Sequence, residues 1–252
     1  MMSALKYFDS HRGRRLAFHL TAGTGPTIVF LGGLKSDMDG TKALHLEAWA
    51  QQHGKAFLRF DYSGHGLSSG TFEEGCIGDW ADDTFDILNT LISGPILPVG
   101  SSMGGWQALL LSRRMSDRMI GMVTIAAAPD FTEDGYWASF SDAQKAQIEA
   151  EGQVEIPSDY MEPYIITRRM IEDGRQHLVL RTPLPLEFPV RCLQGTADTA
   201  VSTQTAVRLL EHAKSPDMRL LLVKDADHRF SDGPCLGLIE AAVEEILALA
   251  AS

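Results

Sequence analysis

The sequence contains the pattern Gly-x-Ser-x-Gly twice, centred on Ser68 and on Ser102. This pattern is typical of a nucleophilic serine when it forms a sharp turn between a strand and a helix, which exposes the serine hydroxyl above the sheet. Only the second copy lies between a short apolar run, residues 95–99, and a helical pattern, residues 103–115. The sequence therefore predicts Ser102 as the nucleophile, Ser101 as its off-centre neighbour and Ser68 as a loop residue.

A serine hydroxyl becomes a good nucleophile only beside a general base that is oriented by a third group. Among the eight histidines, His228 is the best candidate for the base. It follows a strand pattern at 219–223 across a short polar turn, and so lies at the carboxyl edge of the sheet, where ligands bind in α/β proteins. The other seven lie in predicted helices, early strands or surface-like segments: His11, His19, His45, His53, His65, His177 and His212.

Four aspartates are candidates for the orienting acid: Asp130, Asp198, Asp225 and Asp227. Asp198 is favoured because it lies just past the apolar run 189–193 and so reaches the same edge of the sheet. Asp130, at the end of an earlier strand pattern, is the alternative acid. Sequence neighbours usually point apart, so Asp227 is expected to form a cap or a salt bridge rather than to orient His228.

Attack on a carbonyl also needs hydrogen-bond donors aimed at the developing oxyanion. One predicted donor is the backbone N–H of Met103, directly after the nucleophile. The second is the backbone N–H of Leu34, in the loop that follows a third apolar run and begins with Gly32 and Gly33. A simple turn is the alternative interpretation of the two glycines, but it does not account for their position.

The elements that must position these residues alternate between short apolar strands and helical patterns of 10–15 residues. Such alternation predicts an α/β fold with a parallel sheet and helices on both faces, and the antiparallel character of the first strands suggests a mixed sheet. Residues 131–187 break the rhythm, because they show helical patterns at 141–151 and 158–173 but no strand pattern. We predict a core of residues 1–130 and 188–252 with a small helical lid, residues 131–187, inserted between strands.

The composition excludes several other classes of protein. The 252 residues carry 22 Lys and Arg against 33 Asp and Glu, a net charge of −11, which disfavours nucleic acids and membrane surfaces as partners. The three cysteines form no Cys-x-x-Cys pair, which excludes a disulfide scaffold and a cysteine-built metal site and suits a reducing compartment. No signal peptide or membrane span is visible, so we expect a cytoplasmic protein that is a monomer or a homodimer.

These motifs together resemble the α/β-hydrolase superfamily, with its mostly parallel eight-stranded sheet, over essentially the whole chain. The resemblance is carried by Gly32-Gly33, by Phe60-Asp61-Tyr62-Ser63-Gly64, by the turn at Ser102 and by the order Ser102, Asp198, His228. Further stretches are similar to the mitochondrial branch that cleaves acyl glucuronides and palmitoyl-protein thioesters: Gly40-Thr41-Lys42-Ala43, Arg59, Gly104-Gly105-Trp106, Pro157-Ser158 with Tyr160, and Asp227-His228-Arg229.

The resemblance implies hydrolysis of a small-molecule ester or an acylated thiol without metal or cofactor. Aromatic residues in the lid, Trp137, Tyr160 and Tyr164, are candidates to line the acyl pocket, and packing of the lid on the core is the alternative for each. Arg168, next to Arg169, is a candidate to receive an anionic group of the substrate. A solvated helix face is the alternative for this pair.

Two other functions remain open on the sequence alone. A cofactor-free perhydrolase would use the same three residues, and a ligand-binding protein could keep the fold without catalysis. Dehalogenases and epoxide hydrolases of this fold need an acid where Ser102 stands, which argues against both. A prolyl-oligopeptidase-type enzyme carries a large extra domain for which this chain has no room.

Overall fold

Apolar runs of the chain form strands and the amphipathic stretches between them form helices, in residues 3–157 and 163–251, which the computed structural model describes. The strands there are β1 (Leu5–Asp9), β2 (Arg15–Thr21), β3 (Thr24–Leu31), β4 (Lys55–Phe60), β5 (Ile96–Ser101), β6 (Met122–Ile125), β7 (Gln153–Ile156), β8 (Tyr164–Thr167), β9 (Leu184–Pro185), β10 (Val190–Gly195), β11 (Ala213–Lys214) and β12 (Met218–Val223). The α-helices there are α1 (Thr41–Gln52), α2 (Ile77–Leu91), α3 (Met103–Met115), α4 (Asp142–Glu151), α5 (Arg168–Gln176), α6 (Thr203–His212) and α7 (Gly233–Leu249).

Eight of these strands form one sheet in the order β1-β2-β4-β3-β5-β6-β10-β12. β2 pairs antiparallel with β1 and with β4, and every other neighbouring pair in this sheet is parallel. The predicted α/β class, the mostly parallel eight-stranded sheet and its antiparallel beginning are therefore confirmed. Because the parallel strands run in one direction, their carboxyl ends meet at one edge of the sheet.

Helices cover both faces of the sheet, as predicted. On one face, α2 and α3 bury Trp80, Ile87 and Leu109 against the strands. On the other face, α1 and α7 bury Trp49 and Ile239. Within the described part of the chain, no helix is both long enough and apolar enough to cross a membrane.

The prediction that residues 131–187 contain helices alone is wrong. β7 and β8 form an antiparallel hairpin outside the main sheet, and α5 begins only at Arg168, where the side chain of Thr167 accepts a hydrogen bond from Met170 N. Each strand of the hairpin has four residues, which is too short for an alternating pattern to stand out from a helical one. The other predicted helix matches α4, and residues 158–162, with Tyr160, lie outside the described residues.

The inserted segment, residues 131–187, is tied to the core through the carboxylate of Asp130. This carboxylate is fully buried and accepts hydrogen bonds from Val179 N at 2.7 Å and Leu180 N at 3.0 Å. It also accepts one from Arg181 Nη1 at 2.6 Å. The start and the return of the segment therefore meet at one aspartate, five residues after the end of β6.

Replacement of Asp130 by alanine should weaken this junction, because two buried N–H groups lose their acceptor. We expect Asp130→Ala to lower the free energy of unfolding by about 3 kcal/mol, measured by urea denaturation. Asp134→Ala is the matched control, since Asp134 pairs with the same Arg181 at the surface and its removal should cost below about 1 kcal/mol. An equal decrease in the free energy of unfolding in the two variants would contradict the role of Asp130 as an anchor.

Candidate active site

Ser102 lies at the turn between β5 and α3 in a strained backbone conformation, with φ 55° and ψ −117°. A residue with a side chain rarely adopts this region, so the surrounding structure must hold it there. Ser102 N donates a hydrogen bond to Ile125 O at 2.9 Å, and Ala128 N donates one to Ser102 O at 3.1 Å. The end of β6 and the residues after it therefore fix both peptide groups of the turn.

The two glycines of the motif are required by close backbone contacts. A Cβ atom at Gly104 would lie 2.0 Å from the carbonyl oxygen of Leu31, and one at Gly100 would lie 2.3 Å from the carbonyl oxygen of Gly104. No side chain fits at either position without moving backbone. The glycines of the Gly-x-Ser-x-Gly pattern are thus a packing requirement of the turn.

The structure brings Ser102, Asp198 and His228 together. Asp198 follows the end of β10 and His228 follows the end of β12, so both reach the edge where the turn presents Ser102. His228 Nδ1 lies 2.8 Å from Asp198 Oδ2, and His228 Nε2 lies 3.1 Å from Ser102 Oγ. Because a carboxylate only accepts, Nδ1 carries the proton and donates to Asp198, which leaves Nε2 free to accept from the serine hydroxyl.

The carboxylate of Asp198 has donors on both oxygens. Oδ1 accepts from Ala200 N at 2.9 Å and Val201 N at 2.8 Å, and Oδ2 also accepts from Gln194 Nε2 at 2.9 Å. Burial alone would raise the pKa of Asp198, but the hydrogen bonds from His228, Val201 and Gln194 outweigh it and hold the pKa below its ordinary value. Asp198 is therefore ionised near neutral pH.

Gln194 was missed by sequence reasoning. Its side chain is buried near the end of β10, and its amide also donates to Val201 O at 3.1 Å. The available signal was a polar residue inside a buried strand, four positions before the acid. The alternative acid, Asp130, is engaged with residues 179–181, and Asp227 accepts from Phe230 N at 3.1 Å within the turn that follows it.

The loop after β3 lies against the nucleophile. A Cβ atom at Gly33 would lie 3.4 Å from Ser102 Cβ and 3.6 Å from Ser101 O, so this glycine is in van der Waals contact with the turn. Leu34 is the next residue of this loop. Met103 is the first residue of α3, where backbone N–H groups have no acceptor inside the helix. Both predicted oxyanion donors thus belong to segments that adjoin Ser102.

The predicted substrate-binding residues have different surroundings. The ring of Tyr164 lies 5.6 Å from Lys35 Nζ, which brings the hairpin close to the loop after β3. Trp137 lies beneath Arg175 at 4.7 Å and beside Lys145 at 5.6 Å, contacts that favour packing within the inserted segment.

The contacts of Arg168 and Arg169 favour roles on the protein itself. The guanidinium of Arg168 is near Glu149 O at 3.4 Å and Glu172 Oε1 at 3.8 Å, which favours the helix-face alternative. Arg169 pairs with Asp79 at 2.6 Å.

A cavity of about 250 Å³ lies next to the site. Its lining includes Ala128, whose N–H donates to Ser102 O, and Ala200 and Val201, whose N–H groups donate to Asp198. Phe131 and Arg208 contribute an apolar and a charged part of its wall. The cavity therefore borders the loop that carries the acid and a residue that holds the backbone of the nucleophile.

The close contact at Gly104 predicts a large effect of one methyl group. Gly104→Ala should lower the free energy of unfolding by about 3 kcal/mol or more, because the new Cβ displaces the backbone of Leu31. Gly237→Ala is the matched control, since no atom lies within 4 Å of a Cβ there and alanine favours the helix α7 by about 0.5–1 kcal/mol. Thermal and urea unfolding of both variants would measure the difference, and a stable Gly104→Ala protein would refute the packing requirement.

The chain is similar to known proteins over most of its length. A sequence profile of the alpha/beta hydrolase family matches residues 28–248. The mitochondrial palmitoyl-protein thioesterase ABHD10 of Mus musculus is 33% identical over 247 residues, which is 97% of this chain and 83% of the mouse protein.

Two solved structures have nearly the same fold over almost the whole chain. Mouse alpha/beta hydrolase domain-containing protein 10 has a TM-score of 0.90 at 30% identity, over 98% of this chain and 99% of that chain. A crystal structure from Agrobacterium vitis S4 has a TM-score of 0.93 at 37% identity, over 97% of this chain and 98% of that chain. These matches confirm the predicted resemblance and fold. The mouse relative is named as mitochondrial, and a cytoplasmic location for this chain stays a prediction.

Proposed function

Because the chain belongs to the alpha/beta hydrolase family and is a hydrolase that acts on ester bonds, we propose that it cleaves carboxylic esters or acyl thioesters through Ser102, His228 and Asp198. The observation that carries the proposal is the hydrogen-bonded series from Ser102 Oγ through the His228 ring to Asp198, built on a strained turn. The name of the mouse relative, a palmitoyl-protein thioesterase, supports the inclusion of thioesters.

In the proposed reaction, Ser102 Oγ attacks the acyl carbonyl carbon while His228 Nε2 takes the hydroxyl proton. The tetrahedral intermediate collapses as His228 returns this proton to the leaving alcohol or thiol, which leaves an acyl-enzyme. Water, deprotonated by His228, then releases the carboxylic acid and restores Ser102. The ionised Asp198 holds Nδ1–H in place and stabilises the imidazolium that forms in each half of the reaction.

The negative charge on the carbonyl oxygen would be stabilised by the backbone N–H groups of Met103 and Leu34. Support comes from the contact of Gly33 with Ser102, which brings the loop of Leu34 to the turn, and from the position of Met103 at the first residue of α3.

We propose that residues 131–187 act as a cover over this site, on a core of residues 1–130 and 188–252. The proposal rests on the anchor at Asp130, on the approach of Tyr164 to Lys35, and on Phe131, which lines the cavity beside the acid and packs against Trp106. In this arrangement Tyr164 would contact the substrate, and Trp137 would stabilise the cover.

Two substitutions test the catalytic assignment against a matched control. Ser102→Ala should lower kcat/KM by about 10⁴-fold or more, and Asp198→Asn by about 10³- to 10⁴-fold, because the imidazole loses its nucleophile or its orienting charge. Asp225→Asn, an equally conservative change at the same edge of the sheet, should leave kcat/KM within about twofold. Near-full activity of Ser102→Ala would exclude the proposed nucleophile.

The substrate class is best tested with initial rates on matched oxoesters and thioesters of two to about sixteen acyl carbons, with Ser102→Ala as the blank. We expect Ser102-dependent turnover of both bond types, since the same attack serves an alcohol or a thiol leaving group. Peroxide in place of water, with analysis of the acid product, separates hydrolysis from perhydrolysis. No Ser102-dependent turnover on any member would contradict the proposal and favour the ligand-binding alternative.

A further inference from the structure

The segment Asp61–Ser68 is not used by the proposed reaction. It contains a histidine, His65, and the serine at the centre of the first Gly-x-Ser-x-Gly copy, Ser68. In the structure this segment packs against the loop after β3. We call residues 61–68 the brace and residues 32–36 the oxyanion loop. The serine of the first copy, Ser68, secures the brace, because its Oγ donates to Asp61 O at 2.7 Å and accepts from Ala17 N at 2.9 Å.

The brace forms hydrogen bonds with the oxyanion loop near the start and near the end of that loop. Tyr62 Oη donates to Gly32 O at 3.4 Å, and His65 Nε2 accepts from Lys35 N at 3.0 Å. Just beyond the loop, Asp61 Oδ1 accepts from Met38 N at 2.6 Å. The bond to His65 is the shorter of the two inside the loop, and it holds Lys35, the residue next to Leu34.

The surroundings of His65 fix the ring in the form that can accept this bond. Nδ1 lies 3.2 Å from Ser63 O, a group that only accepts, so Nδ1 carries the proton and Nε2 has the free lone pair. The ring is 3% exposed and is surrounded by Tyr62, Phe72 and Trp80 at centroid distances of 5.1–5.6 Å. Burial lowers the pKa of His65 to about 4, so the ring stays neutral and remains an acceptor near neutral pH.

The backbone at Lys35 needs such support. Its φ is 56°, in the left-handed region that residues with a side chain rarely adopt. An acceptor placed on Lys35 N–H favours this conformation over an extended one, and the conformation of Lys35 sets the path of the loop that carries Leu34. A loop with two accessible paths would offer the oxyanion donor in only part of the population.

We infer that His65 is a positioning residue, which holds the oxyanion loop in its productive conformation through the hydrogen bond from Lys35 N to Nε2. The inference rests on the proposed function, in which Leu34 N–H stabilises the oxyanion. The brace would thus stabilise the transition state indirectly, through the conformation of the oxyanion loop.

Two amide substitutions separate the two hydrogen bonds of the ring. His65→Gln places an amide oxygen near the position of Nε2 and keeps an acceptor for Lys35 N–H. His65→Asn is too short to reach Lys35 N, but its amide can still donate to Ser63 O. Trp80→Phe is the control for the surroundings of the ring, because it loosens the same aromatic cluster and removes the hydrogen bond from Trp80 Nε1 to Ser63 O at 3.0 Å. It leaves both atoms of the bond from Lys35 N to His65 Nε2 in place.

We expect His65→Asn to lower kcat on an oxoester by about tenfold or more with little change in KM, because a misplaced donor affects the transition state and not ground-state binding. His65→Gln should restore kcat to within about threefold of the wild type, and Trp80→Phe should reduce the melting temperature without this loss of kcat. The inference is overturned if His65→Asn keeps full kcat, or if kcat in all three variants follows the melting temperature alone.

A measurement on the unmodified protein keeps the inference testable even if His65→Asn does not fold. The imidazole ¹⁵N spectrum should show His65 as a neutral ring protonated at Nδ1, and a ring protonated at Nε2 would overturn the inference, since it could not accept from Lys35. Failure of the proposed function gives a different result, because the wild type itself would then show no Ser102-dependent turnover.

Discussion

The contact between Gly104 and the end of β3 is the constraint on which the site depends. The first turn of α3 approaches the carbonyl group of Leu31 so closely that a Cβ atom at Gly104 would lie 2.0 Å from the oxygen. This approach places the start of α3, with Met103, beside the end of β3, from which the oxyanion loop begins. In the proposed reaction the backbone N–H groups of Met103 and Leu34 share one oxyanion, which requires α3 and this loop to stay close together.

The same edge of the sheet carries the backbone strain of the molecule. In residues 3–157 and 163–251, the residues other than glycine with positive φ are Lys35, Ser102, Ala126, Asp130, Asp225 and Phe230. Each of them follows the carboxyl end of β3, β5, β6 or β12. Strained residues persist only where neighbouring structure holds them, and here the hydrogen bonds of Ser102, Lys35 and Asp130 do so. The rigid parallel sheet therefore stabilises conformations that its loops would not adopt alone.

The sequence could predict those parts of the molecule whose signals are local. The strand, turn and helix around Ser102 lie within one continuous stretch, and the positions of Asp198 and His228 follow from the rule that parallel strands end at one edge. The hairpin of β7 and β8 could not be predicted, because four-residue strands give no usable period and pair only with each other. Gln194 left a local signal, a polar residue four positions before Asp198 in a buried strand. His65 left none, because its bond from Lys35 N joins loops that are 30 residues apart in the chain, and no spacing in the sequence indicates that pairing.

The polar groups around Ser102 divide into charged and neutral ones, and each is held in its state by a different cause. Asp198 remains a carboxylate because four donors outweigh the cost of its burial. His65 remains neutral because it is buried among aromatic rings with only backbone groups as partners. Between the ionised Asp198 and the nucleophile lies the ring of His228, whose Nε2 is 3.1 Å from Ser102 Oγ. The proposed reaction moves a proton between these two atoms, while the hydrogen bonds around Asp198 and His65 keep both of those groups in one protonation state.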